Sequence, residues 1–378
     1  MRIVLVGAAY PLRGGIAHYI ALLYRALKGR GHDVHVLSFK RQYPSLFFPG
    51  KTQMDEGEEL IAVDSVPILD PIHPLSWIKA FFWLKKMRPD LLIFKYWMPF
   101  FAPCYAAVAL SSKIFLGIHV LYILDNIVPH EKKFGDGILT KIGLRFVNFF
   151  VAQSDSVLRD LLRIRPMAVY NKVPHPVYEI FPSSIPKEEA RKKLGIDAER
   201  VILYFGYIRA YKGLRYLVEA MPRVWDALPV CLLICGEVYE GREELMGLID
   251  RLDADRRIRM VDRFIPNEEV GVYFCASDIV VLPYASATQS GIVQIAYHYD
   301  KPAVVTDVGG LPEVVLDGRT GYVVPPRNPE ALANAVLKFY REHREAQFVQ
   351  NVRREKHKYS WDRMAEAVES FMREGHAV

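Results

Sequence analysis

The sequence predicts an α/β protein made of two consecutive doubly wound domains. In both halves, short apolar runs bounded by Gly, Pro and Asp alternate with segments of helical period, the mark of parallel βαβ units. Between Asn171 and Pro186 the alternation stops in a stretch holding Pro174, Pro176, Pro182 and Pro186, then restarts. The length of 378 residues, 51% of them hydrophobic and 24% charged, suits about two or three globular domains and excludes a disordered, collagenous or disulfide-stapled chain. The expected divisions are a first domain over 1–172, a linker over 173–186, a second domain over 187–345 and a helical segment over 346–378.

In the first half, Arg2–Gly7 reads as a buried strand and is followed by Arg13-Gly14-Gly15. A helix comes next, with Ile16, Ile20, Leu23, Tyr24 and Leu27 on one face, and Gly29 and Gly31 end it. Further strands are expected at Asp33–Leu37, Asp90–Phe94, Val120–Leu124 and Val147–Ala152. In the second half they are expected at Val201–Gly206, Val230–Cys235, Ile258–Val261, Ile279–Leu282 and Ala303–Thr306, with a helix over Gly213–Trp225.

The Met1–Ala9 stretch lacks a signal-peptide h-region with a cleavage site. The apolar run from Trp97 to Leu110 is broken by Pro99 and Pro103 and falls short of the roughly 20 residues of a membrane span. Cys231 and Cys235 share one predicted strand, which sets them ~13 Å apart, too far for a disulfide. With Cys104 and Cys275 they show no metal-ligand spacing, so reduced core cysteines of a cytoplasmic protein are expected.

Charge is uneven. Residues 1–172 carry 22 basic and 13 acidic side chains, the remainder 27 and 30. The first domain therefore suits an anionic partner better than the second. No nucleic-acid-binding motif accompanies this excess, so nucleic acid is disfavoured. Peripheral attachment to an anionic membrane surface through the first domain remains open. Within Trp77–Arg88, Lys79 and Lys86 share a side while Lys85 and Arg88 do not, so that helix is expected to be largely packed.

Three strand-loop-helix junctions carry candidate chemistry. At Gly14-Gly15, paired glycines open backbone N–H groups at a helix N-terminus, a setting that favours phosphate. At Phe205-Gly206-Tyr-Ile-Arg209-Ala-Tyr-Lys212-Gly213, two cations follow a strand end, where a diphosphate would suit them. The third is Pro283-Tyr-Ala-Ser-Ala-Thr288-Gln289-Ser290-Gly291, with Gly309-Gly310-Leu-Pro-Glu313 and Asp317-Gly-Arg-Thr-Gly321 after it.

These segments, with Ala276-Ser-Asp278, Asn328-Pro-Glu-Ala-Leu332, Asp125-Asn126-Ile-Val-Pro-His130-Glu131 and His175-Pro-Val-Tyr178, resemble a family 4 glycosyltransferase of the GT-B fold. The resemblance covers nearly the whole chain. It implies two Rossmann-like domains facing a central cleft, with the last helix crossing back to the first domain. It implies a retaining transfer of sugar from a UDP- or GDP-sugar to a glycan or lipid-linked acceptor, with no cofactor and no metal. Arg209 and Lys212 would carry the charge of the leaving diphosphate, and Gly14, Gly15, Gly206, Thr288, Gln289, Ser290 and Gly291 would bind substrate. Asp125 or His130 would be catalytic on the acceptor side, His119 a third choice, and Asn126 and Glu131 would contact substrate.

The chain departs from the family at its acidic pair, Glu-x7-Glu. Alignment on Gly291 puts Thr288 and Ala296 there, and alignment on Pro302 puts Ala287 and Ile295. A glutamate restored at 296 is expected to face the cleft and spare the fold. The missing pair motivates a rival reading, a catalytically silent nucleotide-sugar-binding or scaffold protein. A nucleotide-sugar epimerase on the same architecture is a third.

Overall fold

In the computed structural model, which describes residues 1–44, 52–55, 57–129, 134–253 and 256–373, the chain divides into two units. One is Met1–Pro176 with Tyr359–Val378, the other Val177–Lys358.

The first unit is built on seven parallel strands among the described residues, in the order β3-β2-β1-β4-β5-β6-β7. They are β1 (Arg2–Val6), β2 (Asp33–Phe39), β3 (Ser65–Leu69), β4 (Leu91–Tyr96), β5 (His119–Leu124), β6 (Phe149–Ala152) and β7 (Val169–Lys172). The connecting helices are α1 (Gly15–Gly29), α2 (Pro74–Met87), α3 (Ala102–Leu116), α4 (Asp136–Gly143) and α5 (Asp155–Ile164). From β3 onward the chain moves across the sheet in one direction, so right-handed crossovers set α2, α3 and α4 on one face and α1 on the other. The strand order reverses at β1 and β4.

The central runs β1, β4, β5 and β6 are almost wholly buried and match the sequence expectation. The edge strands β3 and β7 were not expected. Pro67 interrupts β3, and β7 alternates half-buried with exposed residues, so neither shows the continuous apolar run of a central strand. Helix α2 also departs from expectation. Its buried residues are only the narrow stripe Ser76, Ala80 and Leu84, while Leu75, Ile78 and Phe82 stand exposed. The segment Pro99–Leu116 is 18 residues long and apolar enough to cross a membrane by length and composition. Half of it is buried, and α3 packs between α2 and α4.

The second unit has six parallel strands among its described residues, in the order β10-β9-β8-β11-β12-β13. These are β8 (Val201–Phe205), β9 (Cys231–Cys235), β10 (Ile258–Val261), β11 (Ile279–Leu282), β12 (Ala303–Thr306) and β13 (Gly321–Val324). The helices are α6 (Lys187–Leu194), α7 (Leu214–Trp225), α8 (Arg242–Leu252), α9 (Asn267–Ala276), α10 (Gly291–His298), α11 (Leu311–Val314), α12 (Pro329–Arg341) and α13 (Glu345–Glu355). Here the order reverses at β8 and β11, and ligands in open α/β sheets sit outside the carboxyl ends of the strands at such a reversal. Cys104, Cys231, Cys235 and Cys275 are buried free thiols.

The last helix, α14 (Trp361–Arg373), returns to the first unit and packs on α1. The sequence reading took 346–378 as one segment; the structure divides it at Tyr359 and carries the first unit to Pro176. The physical reason is two sets of charges. Arg353 and Lys356 are tied to Asp300 of the second unit. Glu369 on α14 accepts from Arg30 at 2.7 Å, meets His32 at 2.9 Å and pairs with Arg373.

The Arg30 hydrogen bond, supported by His32, holds the buried Glu369 carboxyl down to about 2. A carboxyl lowered on folding contributes stability above its unfolded value and loses it as pH falls toward the folded one. Stability of the first unit is therefore expected to fall by up to about 3 kcal/mol between pH 5 and pH 2 through this group. Urea midpoints across that range should be flatter in Glu369→Gln than in wild type.

Candidate active site

In the first unit the site grows from strand register. Lys95 of β4 pairs with Ile123 of β5, and Ile123 with Val151 of β6. Side chains alternate along a strand, so Asp125 and Gln153, each two residues beyond those partners, project to the same face as Lys95. Lys95 is 1% exposed, and its Nζ donates to Asp125 Oδ1 at 2.5 Å and to Gln153 Oε1 at 2.6 Å. Gln153 Nε2 in turn donates to the Tyr19 hydroxyl at 3.0 Å, and the ammonium lies 3.4 Å from the Tyr19 ring centre. At Gly7 a β-carbon would sit 2.9 Å from Ile20, so glycine there lets α1 lie close over this cluster.

Burial pushes the Lys95 ammonium down to about 8, and Asp125 pulls the other way. His175 is enclosed nearby, with its ring edge-on to Tyr19 at 5.1 Å. Burial first, then the Lys95 charge, hold its imidazole down to about 3, so it is neutral. Asn126 follows Asp125, and among the described residues its buried Oδ1 has no hydrogen-bond partner.

Of the expected first-unit residues, Asp125 and Asn126 stand at the carboxyl edge of the sheet, at the end of β5. Gly14 caps α1 with φ 109°, a left-handed value that suits glycine, and Gly15 begins that helix, whose first turn carries no acidic residue. His130 and Glu131 lie outside the described residues. His119 begins β5 and sits at the opposite, amino edge of the sheet, against Phe149. It is thereby separated from Asp125 by the length of the strand.

In the second unit, Gly206 follows β8 with φ +108°, a backbone region that favours glycine, and a β-carbon there would meet Lys212 Nζ at 3.2 Å and Ile292 at 3.3 Å. Lys212 Nζ lies 5.4 Å from the Tyr284 ring centre, and the Tyr284 hydroxyl is 3.3 Å from Ser290 Oγ. Ser290 caps α10 by accepting from the Ile292 N–H at 3.2 Å. The structure thus brings Gly206, Lys212, Ser290 and Gly291 together around the first turn of α10, which carries no acidic side chain.

Burial pushes the Lys212 ammonium down to about 8, and Arg209 beside it pushes the same way. The Arg209 guanidinium lies 5.2 Å from the Tyr239 ring centre. Among the described residues neither cation has a carboxylate partner. Thr288 and Gln289 belong to the loop before α10, where the Thr288 carbonyl accepts from the Gly310 N–H at 2.8 Å. That bond joins the third sequence motif to the Gly309-Gly310 turn.

The positions of the absent acidic pair are informative. Ala296 is fully buried and Ile295 nearly so, at 0% and 7% exposure. The expectation that residue 296 faces a cleft is therefore corrected, because this part of α10 packs into the unit's core. Ala296→Glu is expected to destabilise the second unit by several kcal/mol, since a buried carboxylate here would lack a cation. A melting temperature within a degree or two of wild type would contradict that.

Sequence reasoning missed Lys95, Gln153 and Tyr19. The available signal was a lysine inside Leu91-Leu-Ile-Phe-Lys-Tyr96, because a cation in a fully buried strand requires an anion beside it. Among the described residues no group of three His, Cys, Asp or Glu side chains is arranged to hold a metal ion.

Comparison with known proteins bears on both units. Residues 13–174 match the model for glycosyltransferase family 4, and residues 199–342 the model for glycosyl transferases group 1. A glycosyltransferase of Methanocaldococcus jannaschii, itself uncharacterised, is 25% identical over 97% of this chain and 96% of its own. D-inositol 3-phosphate glycosyltransferase of Corynebacterium glutamicum is 30% identical over 39% of this chain and 37% of its own. Among solved structures, Anabaena HepE in complex with UDP-glucose has a TM-score of 0.76 at 17% identity, covering 98% of this chain and 99% of that one. Sucrose-phosphate synthase from Thermosynechococcus elongatus has a TM-score of 0.71 at 17% identity, covering 99% of both chains. These likenesses show a common fold, GT-B, and with one matched segment in each unit the chain belongs to the family 4 glycosyltransferases.

Proposed function

We propose that this glycosyltransferase takes a UDP- or GDP-sugar at the carboxyl edge of the second unit's sheet and transfers the sugar, with retention of configuration, to a glycan or lipid-linked acceptor. The observation that carries the reading is Lys212, a half-buried lysine without a carboxylate partner among the described residues, folded onto Gly206 beside the amino end of α10. A cation partly withdrawn from water without a counter-charge is disfavoured, and a diphosphate would supply that charge. Backbone N–H groups at the start of α10 and the Arg209 guanidinium add to the same field.

In the transfer, the bond from the anomeric carbon to the diphosphate oxygen breaks, a bond from that carbon to the acceptor oxygen forms, and the acceptor hydroxyl's proton passes to the departing diphosphate oxygen. Lys212 and Arg209 stabilise the negative charge that grows on the departing diphosphate, the task a metal ion performs in other enzymes. On that ground the reading is metal-independent, with no cofactor. Gly14 and Gly15 present the amino end of α1, and Thr288, Gln289 and Ser290 stand in for the missing glutamates.

On the acceptor side, Asp125 and the Asn126 carbonyl oxygen receive hydrogen bonds from the sugar or lipid-linked hydroxyl. We assign Asp125 orientation rather than proton abstraction. Protonating it would leave the Lys95 ammonium buried opposite a neutral acid. Buried free thiols fit a cytoplasmic setting.

Thermal-shift titration with UDP, GDP and ADP tests the donor reading. A ligand at 100 times its Kd is expected to stabilise the protein by about 2.7 kcal/mol. No shift with UDP or GDP would overturn it. Binding without turnover of any sugar donor would instead support the silent reading.

A further inference from the structure

Apolar exposure is divided between the units as unevenly as charge. Among the described residues, every large apolar side chain that stands exposed, from Met1 to Tyr170, belongs to the first unit. Many of them gather on the helices of one face of its sheet. On α2, Leu75, Ile78 and Phe82 are 61%, 52% and 61% exposed and share one side of the helix. On α3, Ile114 and Phe115 are 64% and 72% exposed. The Phe81 ring joins the two groups, 5.5 Å from Phe82 and 6.1 Å from Phe115. Ile138 and Ile142 extend the surface along α4, which packs on the other side of α3.

Cations are set among these side chains: Lys79, Lys85 and Lys86 on α2, Lys113 on α3 and Lys141 on α4. Among the described residues none of the five has an ion pair, although acidic partners engage many basic side chains elsewhere in the chain. Water solvates lysine well but solvates exposed phenylalanine and isoleucine poorly. A surface offering both at once matches the boundary of an anionic bilayer, where apolar side chains enter the acyl region and ammonium groups meet lipid phosphates.

We propose that the α2–α3–α4 face of the first unit docks on an anionic membrane surface. The reading is independent of the donor site, which lies in the second unit.

Co-flotation of the full chain with vesicles tests it, using phosphatidylcholine alone and phosphatidylcholine with about a third phosphatidylglycerol. Binding is expected to the mixed vesicles only, and to weaken as salt is raised. Replacing Lys79, Lys85 and Lys86 together by glutamine is expected to reduce affinity by about two orders of magnitude, roughly fivefold per lysine. Phe82→Ser with Phe115→Ser is expected to abolish flotation, with the melting temperature kept because both rings are already in water. Absence of flotation, equal flotation with neutral vesicles, or retained flotation by either variant overturns the proposal. So does a dimer in light scattering that the Phe82/Phe115 variant dissolves, which would assign the face to a second copy of the chain.

Discussion

Replacing Lys212 with alanine is expected to lower kcat/KM for sugar transfer about 10²- to 10³-fold, the usual loss when one preorganised electrostatic donor is removed. The effect should divide between the two kinetic constants in a telling way. On the proposed reading the ammonium meets the negative charge of the bound diphosphate and the charge that grows in the transition state, so kcat should fall along with donor affinity. Fold stability should move little or rise, because the wild-type side chain holds a half-buried cation that desolvation opposes. A variant with wild-type kcat and only a raised KM would confine Lys212 to ground-state binding. One with both constants unchanged would remove it from the site.

Breaking the Lys95–Asp125 pair is expected to have the largest effect on the first unit. Asp125→Asn leaves a 1% exposed ammonium without its counter-charge, and removing one partner of a buried pair costs about 3–5 kcal/mol. Lys95→Met should cost less, since the Asp125 side chain is 16% exposed and water can reach it. The double variant Lys95→Met with Asp125→Asn should recover much of the stability lost in Asp125→Asn, because no unpaired buried charge remains. Transfer should stay reduced by about 10²-fold in the double variant, the scale of a misplaced reactant. Urea melts and initial rates on the same four proteins separate the two roles. Recovery of both stability and transfer in the double variant would make the pair purely structural.

Where the chain forms buried parallel strands, its sequence is explicit. Val201–Phe205 and Ile279–Leu282 are uninterrupted apolar runs, and each is followed by the loop that carries site residues. Edges are harder to read: β3 holds a proline and β7 is Val-Tyr-Asn-Lys, because a strand paired on one side needs neither continuous burial nor a full set of donors. Helix α2 misleads for a related reason. Its charges are spread around the wheel, which suggests burial, yet Leu75, Ile78 and Phe82 face outward, only Ser76, Ala80 and Leu84 are fully covered, and Trp77 and Trp83 are partly so. Lys212 was legible as a candidate from its place after a strand and glycine. Lys95 was not, because its meaning depends on Asp125 and Gln153, brought beside it by the register of three strands.

The central claim is that a diphosphate supplies the counter-charge Lys212 lacks. The pH dependence of UDP or GDP binding, whichever stabilises the protein, tests it most directly. With Lys212 titrating at about 8 in the free protein, the ammonium is present at pH 7 and must be regenerated by proton uptake above pH 8. Affinity measured by titration calorimetry is therefore expected to fall only about twofold from pH 7 to 8 and toward tenfold per pH unit well above it. Lys212→Gln should bind more weakly at pH 7 and show no such fall. The same decline above pH 8 in wild type and Lys212→Gln would contradict the account.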